Sequence, residues 1–542
     1  MQQRFLLPLA TYMLVILLIG SNIFSQLESS TLGWLGTDAM DTMSLRWLLF
    51  HPASRFAPVG YNFAALTPNI LDHLTAYPLI TLFGFPQGDN LWWFCVLLAN
   101  ALSAHLLGKR LGGELGGYWA GALIISSEQL LREVNLHHAP QSMLFFPLLY
   151  FWSLLRIKTK QQAIFCGLFL GLTGWCYLYS FLFSLLGSLP LLWTAERKQA
   201  MRALGMAGLV LLPNLIWLFW MSPTMIQPPN IGLIQGKTML EMHSGGWDFL
   251  WQNQPFDLSN QISFLALGLS GWMLLKKRAQ LHWGVGLFCF GLGAFMLLGA
   301  HNPLFPLVHS LPGFSRLFWP ERWGILLPIG LVFCSAPFFL YQHRMLWRLP
   351  PLVVLEMFLR SGNLPLHSEP TNSYQCYAEL KNDQGIILEL PMKHNDRLYN
   401  RSALYQRLHG RPMINPFILP PMASPPKEWE QWRQIPWLQE LDQDTEAPYH
   451  SSTTFTQRAE IQSVGITSII IDRSPFAPLS EQEATAWKRQ ISEKLGEPVD
   501  LGCLWLWQLD TEKSRIQNTK RPTSTAPYHH FPLLMEPINQ QR

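Results

Sequence analysis

The chain is poor in charge: only 14% of its 542 residues are Asp, Glu, Lys or Arg, and the formal net charge is +4. No long basic run with interleaved aromatic residues occurs, which argues against a nucleic-acid partner. The chain has no Walker loop or dinucleotide fingerprint, so a nucleotide-driven motor has no support. Its seven cysteines form no Cys-x-x-Cys or Cys/His pattern, and a sulfur-ligated metal site is therefore not expected.

Apolar residues are abundant instead: 49% of the chain is hydrophobic, and 23 residues are Trp. Apolar runs near the ~20 residues that cross a bilayer recur from Phe5 to about Arg360. The first, Phe5 to Phe24, lacks a small-x-small cleavage site at its exit and is predicted to be an uncleaved anchor. The sequence predicts a multi-pass α-helical membrane protein with about eleven transmembrane helices, the others being near residues 91–107, 118–130, 142–155, 163–179, 181–193, 203–221, 262–275, 283–298, 323–341 and 349–359.

The orientation follows from the loops, because short cytoplasmic loops collect Lys and Arg. Every second connection is short and basic, and the intervening ones are longer and rich in Trp, His and Pro, apart from a tight turn at Ser180. This alternation predicts a cytoplasmic N-terminus and an external C-terminal region. The basic connections carry Lys109-Arg110, Arg156 with Lys158 and Lys160, Arg197-Lys198 with Arg202, Lys276-Lys277-Arg278, and Arg344 with Arg348.

The first outer loop, residues 25–90, contains an apolar segment, 69–85, that is interrupted by Pro78. A span here would invert every later basic loop, so the segment is predicted to be an interfacial or re-entrant helix with Asp72 and His73 near its start. Small-residue spacings, such as Gly113 with Gly117 and Gly167 with Gly171, indicate close helix packing.

Past Arg360 the pattern changes to soluble α/β. Residues 386–390, 468–471 and 504–507 are predicted strands. A helix lies between the last two, with Ser480 to Glu483 as its capping box and Gly496 as its end. The sequence thus predicts a transmembrane domain at 1–360, an external, periplasmic α/β domain at 361–510, and a disordered tail at 511–542.

Five cysteines lie in apolar segments, where a thiol behaves as a small hydrophobe. Cys376 and Cys503 are the two in the polar C-terminal region. An oxidising compartment would permit a disulfide between them that closes a long loop, but Cys503 could equally be a buried thiol beside its strand.

Two carboxylates, Asp38 and Asp41, follow the first span within Gly36-Thr37-Asp38-Ala39-Met40-Asp41. On one helical turn they would face the same way, and could share a cation or act as acid and base. Alternatively, Asp38 caps the helix that begins at Asp41, and the helix dipole favours both acids. Local sequence favours the capping interpretation.

The wider pattern resembles the membrane glycosyltransferases of the GT-C class. A first helix is followed by a large outer loop that opens with Gly-x-Asp-x-x-Asp and continues through Pro58-x-Gly60 to an amphipathic segment. Further pieces are similar to large bacterial proteins of this class with an external C-terminal domain, and the resemblance covers most of the chain. They are Gly121, the segment 135–141, Leu311-Pro312-Gly313-Phe314-Ser315-Arg316 with Pro320 and Arg322, and the pairing of 385–391 with 405–412.

The resemblance implies transfer of a sugar from a polyprenyl-phosphate carrier to a glycan, lipid or protein acceptor, on the outer side of a bacterial cytoplasmic membrane. Asp38 or Asp41 would be the base or would hold a divalent cation such as Mg²⁺ or Mn²⁺. The Asp-x-x-Asp spacing departs from the adjacent or Asp-x-Asp acids of better-known members, which leaves metal use open. Candidate phosphate partners are Arg46, Arg55, Arg316 and Arg322, and candidate acceptor-sugar contacts are His243 and Trp247, for which loop decoration is the simpler interpretation.

Other polar residues have simpler interpretations. His137-His138 is predicted to have a surface or interfacial role rather than to ligate jointly. Glu128 with Arg132 has the spacing of an ordinary helix pair, although their depth near a membrane edge could place them in a cavity. A non-catalytic GT-C-like membrane subunit or scaffold, whose external domain binds partners or glycans, is the alternative function. A transporter is a distant third, because the spans lack charged midplane residues and obvious repeats.

Overall fold

The computed structural model describes residues 3–33, 70–221, 263–275, 281–297, 302, 320–341, 344–361, 364–382, 385–390, 405–406, 408–411, 413–414, 461–462, 465–473 and 479–509. Its α-helices are α1 (Gln3–Ile19), α2 (Ser21–Phe24), α3 (Leu71–Phe83), α4 (Gln87–Ile125), α5 (Glu128–Asn135), α6 (Ala139–Ser142), α7 (Phe145–Leu154), α8 (Lys160–Cys176), α9 (Leu178–Gly187), α10 (Leu189–Thr194), α11 (Arg197–Met221), α12 (Phe264–Leu275), α13 (Leu281–Leu297), α14 (Leu326–Ser335), α15 (Leu349–Arg360) and α16 (Glu481–Leu495). The 3-10 helices are Pro320–Ile325, Ala336–Tyr341, Arg344–Arg348 and Asn372–Asn382. The strands are β1 (Ser30–Leu32), β2 (Ser368–Pro370), β3 (Ile386–Leu390), β4 (Met413–Ile414), β5 (Ile466–Asp472), β6 (Val499–Asp500) and β7 (Leu504–Gln508).

The helical part presents apolar side chains outward. Leu18, Leu209 and Phe264 are each more than half exposed although their helices are almost wholly apolar, an arrangement that lipid tolerates and water does not. In the part of the chain that the structure describes, three helical stretches are long and apolar enough to cross a bilayer: Gln87–Ile125, Arg197–Ile216 and Arg322–Tyr341. These features fit a helical membrane protein, while the number of about eleven spans stays a prediction.

Helix α4 is a hairpin rather than one rod. Gly112 and Gly113 leave helical geometry, with φ +71° and ψ −164° at Gly113. A Cβ added at Gly108 would lie 2.2 Å from the carbonyl oxygen of Gly116, whereas eight residues along a straight helix span ~12 Å. The turn falls in the predicted basic connection after Lys109-Arg110. The predicted close packing of Gly113 and Gly117 is confirmed for Gly117, which lies against the His105 ring, and is wrong for Gly113, where an added Cβ would meet nothing within 4 Å.

Close packing predicted at Gly167 and Gly171 is also confirmed. A Cβ added at Gly167 would meet the backbone of Ala203, and one at Gly171 would meet Val210. Both neighbours lie on α11, so the small residues let α8 and α11 approach along their lengths.

Several predicted spans differ in detail from the observed helices, and two of them show why. The segment predicted at 118–130 ends as a helix at Ile125, and a separate polar helix, α5, begins at Glu128. The segment at 181–193 is divided at Ser188, where Pro190 enters the first turn of α10 and cannot donate to the preceding turn. Hydrophobicity alone did not place these breaks.

The segment predicted at 69–85 forms a helix, α3, with Asp72 in its first turn. Its buried residues include Asp72 and His73, whereas Leu74, Tyr77 and Leu82 are exposed. A helix with charge inside and apolar groups outside is the reverse of a water-facing helix, while its interfacial or re-entrant placement stays a prediction.

The C-terminal region forms a five-stranded sheet in the order β4-β3-β5-β7-β6, with β4, β3 and β5 parallel and β7 antiparallel to both of its neighbours. The strands predicted at 386–390, 468–471 and 504–507 are confirmed as β3, β5 and β7. The predicted capping box is confirmed too: the Ser480 hydroxyl accepts the Glu483 N–H, and the Glu483 carboxylate accepts the Ser480 N–H. Gly496 ends the helix at φ +87°.

The apolar residues of α16, Ala484, Trp487 and Ile491, cover one sheet face. The other face packs against Tyr377, Tyr405 and Phe85, the last of which lies between α3 and α4. The strand β1, next to the first helices, pairs with β2, so the helical part and the sheet region touch directly. The domain limits at 360 and 510 stay predictions, and the tail 511–542 lies outside the described residues.

The structure joins Cys376 and Cys503 in a disulfide, as one of the two sequence alternatives predicted. Their Cα atoms are 6.0 Å apart. The bond connects the 3-10 helix Asn372–Asn382 to the turn before β7, across 127 residues of chain. The other five cysteines are free thiols.

Candidate functional site

Of the eight residues predicted from sequence to form the site, Arg322 is the one within the described residues. The others lie in the gaps at 34–69, 222–262 and 303–319, so their positions stay predictions. They are Asp38, Asp41, Arg46, Arg55, His243, Trp247 and Arg316.

Arg322 lies in the 3-10 helix Pro320–Ile325, at the start of an apolar stretch that runs to Tyr341. Its guanidinium carbon is 5.5 Å from the centroid of the Tyr177 ring. Tyr177 lies between α8 and α9 in an extended conformation, with φ −160°, and the helix α8 ends there. The break in the helix thus supplies an aromatic face on which the cation rests.

Helix α5 is polar in composition and yet buried along its whole length. Glu133 is the centre of its contacts: Gln129 Nε2 donates to Oε1 at 3.0 Å, Arg132 pairs with the same oxygen, and His138 Nδ1 lies 2.5 Å from Oε2. Burial by itself would raise the pKa of Glu133, but the charges of Arg132 and His138 outweigh it and hold that pKa well below its usual range. Glu133 is therefore ionised at neutral pH.

This carboxylate fixes the state of His138. Because an ionised carboxylate only accepts hydrogen bonds, His138 carries a proton on Nδ1. The His138 side chain is 20% exposed, whereas the Glu133 side chain is only 3% exposed. A buried acid that orients a partly exposed imidazole is an arrangement suited to proton transfer or to binding an anion.

The prediction that His137 has a surface or interfacial role is wrong, because its side chain is fully buried. Trp93 Nε1 donates to His137 Nε2 at 2.9 Å, and Asp89 Oδ2 lies 3.0 Å from the same nitrogen. Adjacent histidines do point apart, as the local geometry requires, but Asp89 and Trp93 from α4 enclose one of them. The backbone φ of His137 is +59°, a conformation that costs energy outside glycine and asparagine.

The prediction of an ordinary pair between Glu128 and Arg132 is also wrong. Arg132 pairs with its neighbour Glu133, and Glu128 accepts a hydrogen bond from the Ser361 hydroxyl at the end of α15. The two residues therefore serve different contacts, one inside α5 and one to the chain that leads to the sheet.

Contacts between elements connect some of these groups. Helix α5 contacts the 3-10 helix that carries Arg322, and α3, with Asp72 and His73, contacts both α6 and α8. Arginine and histidine can bind a phosphate, and carboxylates can accept a proton or bind a hydroxyl group. In the described part of the chain, no group of three or more His, Cys, Asp or Glu side chains has the spacing of a metal site.

Glu133, Asp89 and Asn90 are not among the residues predicted from sequence. The available signal for Glu133 is the polar run Glu128 to Asn135, which the sequence prediction divides between the span 118–130 and the outer connection that follows it. A charged helix inside an otherwise apolar protein is unusual enough to have marked the site.

No protein-family model matches the chain, and no curated protein matches it. Among solved structures, that of the arabinofuranosyltransferase AftD from mycobacteria superposes with a TM-score of 0.54 at 13% identity, over 94% of this chain and 40% of the AftD chain. The chain has the fold of a GT-C membrane glycosyltransferase. The R1389S variant of AftD superposes equally, with a TM-score of 0.54 at 14% identity, over 93% of this chain and 41% of the other.

A third structure, the oligosaccharyltransferase from Archaeoglobus fulgidus in the apo form, superposes with a TM-score of 0.48 at 11% identity, over 86% of this chain and 69% of that one. This TM-score is too low to indicate a common fold by itself. The chain spans less than half the length of AftD, and the likeness at this identity concerns the fold alone.

Proposed function

We propose that the chain is an integral-membrane glycosyltransferase that moves a sugar from a polyprenyl-phosphate carrier to an acceptor outside the cytoplasmic membrane. The observation that carries the proposal is that α5, a buried helix with charged residues, contacts the 3-10 helix of Arg322 in a chain with a GT-C fold. Buried ionisable groups in an apolar protein are costly and are retained chiefly where they act on a substrate. A phosphate-linked sugar needs cations for its leaving group and a base for the acceptor hydroxyl.

The proposed roles assign the base to Asp38 or Asp41, which would alternatively hold a divalent cation. Arg322 and Arg316 would grip the carrier phosphate, helped by Arg46 and Arg55. His243 and Trp247 would contact the acceptor sugar. Of these residues, Arg322 has the supporting geometry, because it lies against Tyr177 on a 3-10 helix that contacts α5.

The proposed orientation places Arg322, α5 and the C-terminal sheet outside the bacterial cytoplasmic membrane. The alternating basic loops support it. The Cys376–Cys503 disulfide supports it independently, because such bonds persist in oxidising compartments and are rare in the cytosol.

The test is transfer in proteoliposomes, using a panel of polyprenyl-phosphate sugars. The first donor is the arabinose derivative, since AftD is named an arabinofuranosyltransferase. Arg322→Gln removes the charge, and we expect transfer to fall by about 10- to 100-fold, as for loss of a hydrogen bond to a charged group. Arg322→Lys keeps the charge but not the bidentate fork, and is expected to lose less.

The matched control is Arg202→Gln. Arg202 lies on α11 in a predicted cytoplasmic connection, and its NH1 donates to Gln199 Oε1 at 3.2 Å. We expect this variant to transfer at the wild-type rate. If wild type and all variants give no transfer with any donor while they bind glycans or partner subunits, the chain is a GT-C-like scaffold and not an enzyme.

A further inference from the structure

The chain between α2 and the first outer loop is held along one edge by β2. Strand β1 pairs antiparallel with β2, with Thr31 opposite Glu369. The pairing extends beyond the strands, because Gly33 N–H donates to the His367 carbonyl at 2.9 Å and Thr371 N–H donates to the Ser29 carbonyl at 2.8 Å. The backbone groups of residues 29, 31 and 33 therefore form hydrogen bonds toward β2. Those of Ser30 and Leu32 point to the opposite edge of β1.

A single side chain, Asn90 from the first turn of α4, occupies that other edge. Its Oδ1 accepts the Leu32 N–H at 3.1 Å, and its Nδ2 donates to the carbonyl oxygens of Leu27 at 3.1 Å and Ser30 at 2.8 Å. The side chain is almost fully buried, at 1% exposure. The amide thus takes the place that the peptide group of a third strand would take.

Helix α5, which carries the candidate site, contacts the same strand pair. Asn135 Oδ1 accepts the His367 N–H at 3.0 Å. Gly33, at φ +89°, lies so near α5 that an added Cβ would be 2.6 Å from the Asn135 carbonyl oxygen and 2.8 Å from His137 Nδ1. Residues 27–33, β2 and α5 are therefore packed together immediately before the loop that contains Asp38.

We propose that Asn90 is a positioning residue for glycosyl transfer, which fixes the chain that enters the first outer loop against α5 and β2. The inference rests on the proposed function, because Asp38 lies five residues after Gly33 in sequence. Asn90 touches no substrate. It acts by holding backbone whose displacement would move the residues that follow, and a misplacement of ~1 Å at a reacting group can cost about 100-fold in rate.

The chemistry explains why Asn is the residue type at this position. Aspartate would present a second oxygen to the carbonyls of Leu27 and Ser30, where two donors are needed. Alanine would leave one buried N–H and two carbonyls without the partners they have now. Glutamine carries the same groups one methylene farther out, in a position without spare volume.

The experiment compares Asn90→Ala with Asn214→Ala in proteoliposomes. Asn214 on α11 is also buried, and its Nδ2 donates to the Gly174 carbonyl at 3.3 Å, so its loss removes a buried amide that joins α11 to α8. For Asn90→Ala we expect kcat to fall by about 10- to 100-fold while KM for the lipid donor changes by less than about 3-fold. Asn214→Ala should keep both constants, even though its unfolding temperature is expected to fall just as far.

Hydrogen–deuterium exchange at the amides of Thr31, Leu32 and Gly33 provides a readout that does not depend on activity. Asn90→Ala should accelerate exchange at these amides, and Asn214→Ala should not. Equal kcat in wild type and Asn90→Ala, or a loss of kcat that Asn214→Ala shares, would overturn the positioning role.

The two proposals fail in different ways. If wild type transfers no sugar, the proposed function fails. The anchoring of residues 27–33 by Asn90 is then judged by hydrogen exchange alone, and unchanged exchange in Asn90→Ala would reject it. If wild type transfers sugar and Asn90→Ala does so at the same kcat, only the inference about Asn90 fails.

Discussion

At the residue scale, the protein keeps charge inside an apolar framework by pairing it closely. Glu133 is ionised because Arg132 and His138 offset the cost of its burial. Breaking such a pair on one side is far more costly than its net contribution suggests, since the remaining charge stays buried. These residues therefore constrain which substitutions can report on function without unfolding the protein.

The proposed catalytic acids can be tested by substitution with Asn. Asp38→Asn or Asp41→Asn removes the basic, cation-binding charge, and losing a general base commonly costs ~10²- to 10⁴-fold in rate. If the acids only cap a helix, Asn serves almost as well as Asp, and transfer is retained. The measurement is transfer from a polyprenyl-phosphate donor, with thermal unfolding as the check on folding.

Asp500→Asn is the control for these two variants, because Asp500 is an exposed acid in the C-terminal sheet. It should transfer sugar at the wild-type rate. Wild-type rates in both the Asp38 and Asp41 variants would remove these acids from the mechanism.

Because of His409, the folding stability of the C-terminal region is expected to depend on pH. It is buried, its Nδ1 accepts the Arg411 N–H at 3.1 Å, and burial together with the Arg411 charge lowers the pKa of His409 to about 3. The unfolded chain takes up this proton near pH ~6.5, whereas the folded protein does not until about pH 3. Stability from His409 is thus full above pH ~6.5 and falls as the pH is lowered through this window.

The check is thermal unfolding in detergent between pH 7 and pH 4. The unfolding temperature of the wild-type protein should fall further over this range than that of His409→Gln. The amide oxygen of Gln can accept the Arg411 N–H, but the amide does not titrate. Parallel curves for the two proteins would contradict the assignment.

At the element scale, the hairpin in α4 depends on backbone geometry rather than on side-chain contacts. Gly113 has open space around it but adopts a conformation that is available almost only to glycine. Gly205, within α11, also has open space and has ordinary helical geometry. The same substitution should therefore have opposite effects at the two positions.

Gly113→Ala is expected to destabilise the protein by about 1–3 kcal/mol, the cost of a residue held in such a region. Gly205→Ala should be neutral or stabilise it by up to ~1 kcal/mol, because Ala is the better helix former. Unfolding temperatures in one detergent measure both changes. Equal effects would show that the turn at Gly113 is not formed.

At the scale of the whole molecule, the C-terminal sheet contacts the helical part. The sheet and the ends of the helices that it contacts must therefore lie on the same side of the membrane. Strand β1 pairs with β2, and Phe85 packs against Tyr377 and Tyr405. The orientation of this assembly is the remaining prediction from the basic loops.

Reporter fusions test that orientation. Alkaline phosphatase fused after Arg360 should be active, and a fluorescent protein that folds only in the cytoplasm should stay dark there. Fusions after Lys158, in a basic connection, should give the reverse pattern. Phosphatase activity only after Lys158 would invert the topology and place the candidate site on the cytoplasmic side.

The sequence by itself determined the class of protein, the main helices, the three principal strands and the limits of α16. These follow from apolar runs, residue alternation and capping chemistry, all of which act over a few neighbouring residues. The resemblance of the outer-loop pattern also indicated the GT-C fold, which the likeness to AftD supports.

Only the tertiary structure decided which polar residues share an environment. His137 became a buried partner of Asp89 and Trp93, Arg132 paired with Glu133, and Asn90 bound a strand about 60 residues earlier in the chain. These contacts join residues that local patterns treat as independent, because burial and hydrogen bonding are set by how distant segments pack. In a largely apolar chain, the few polar groups must find one another, and only packing determines which pairs form.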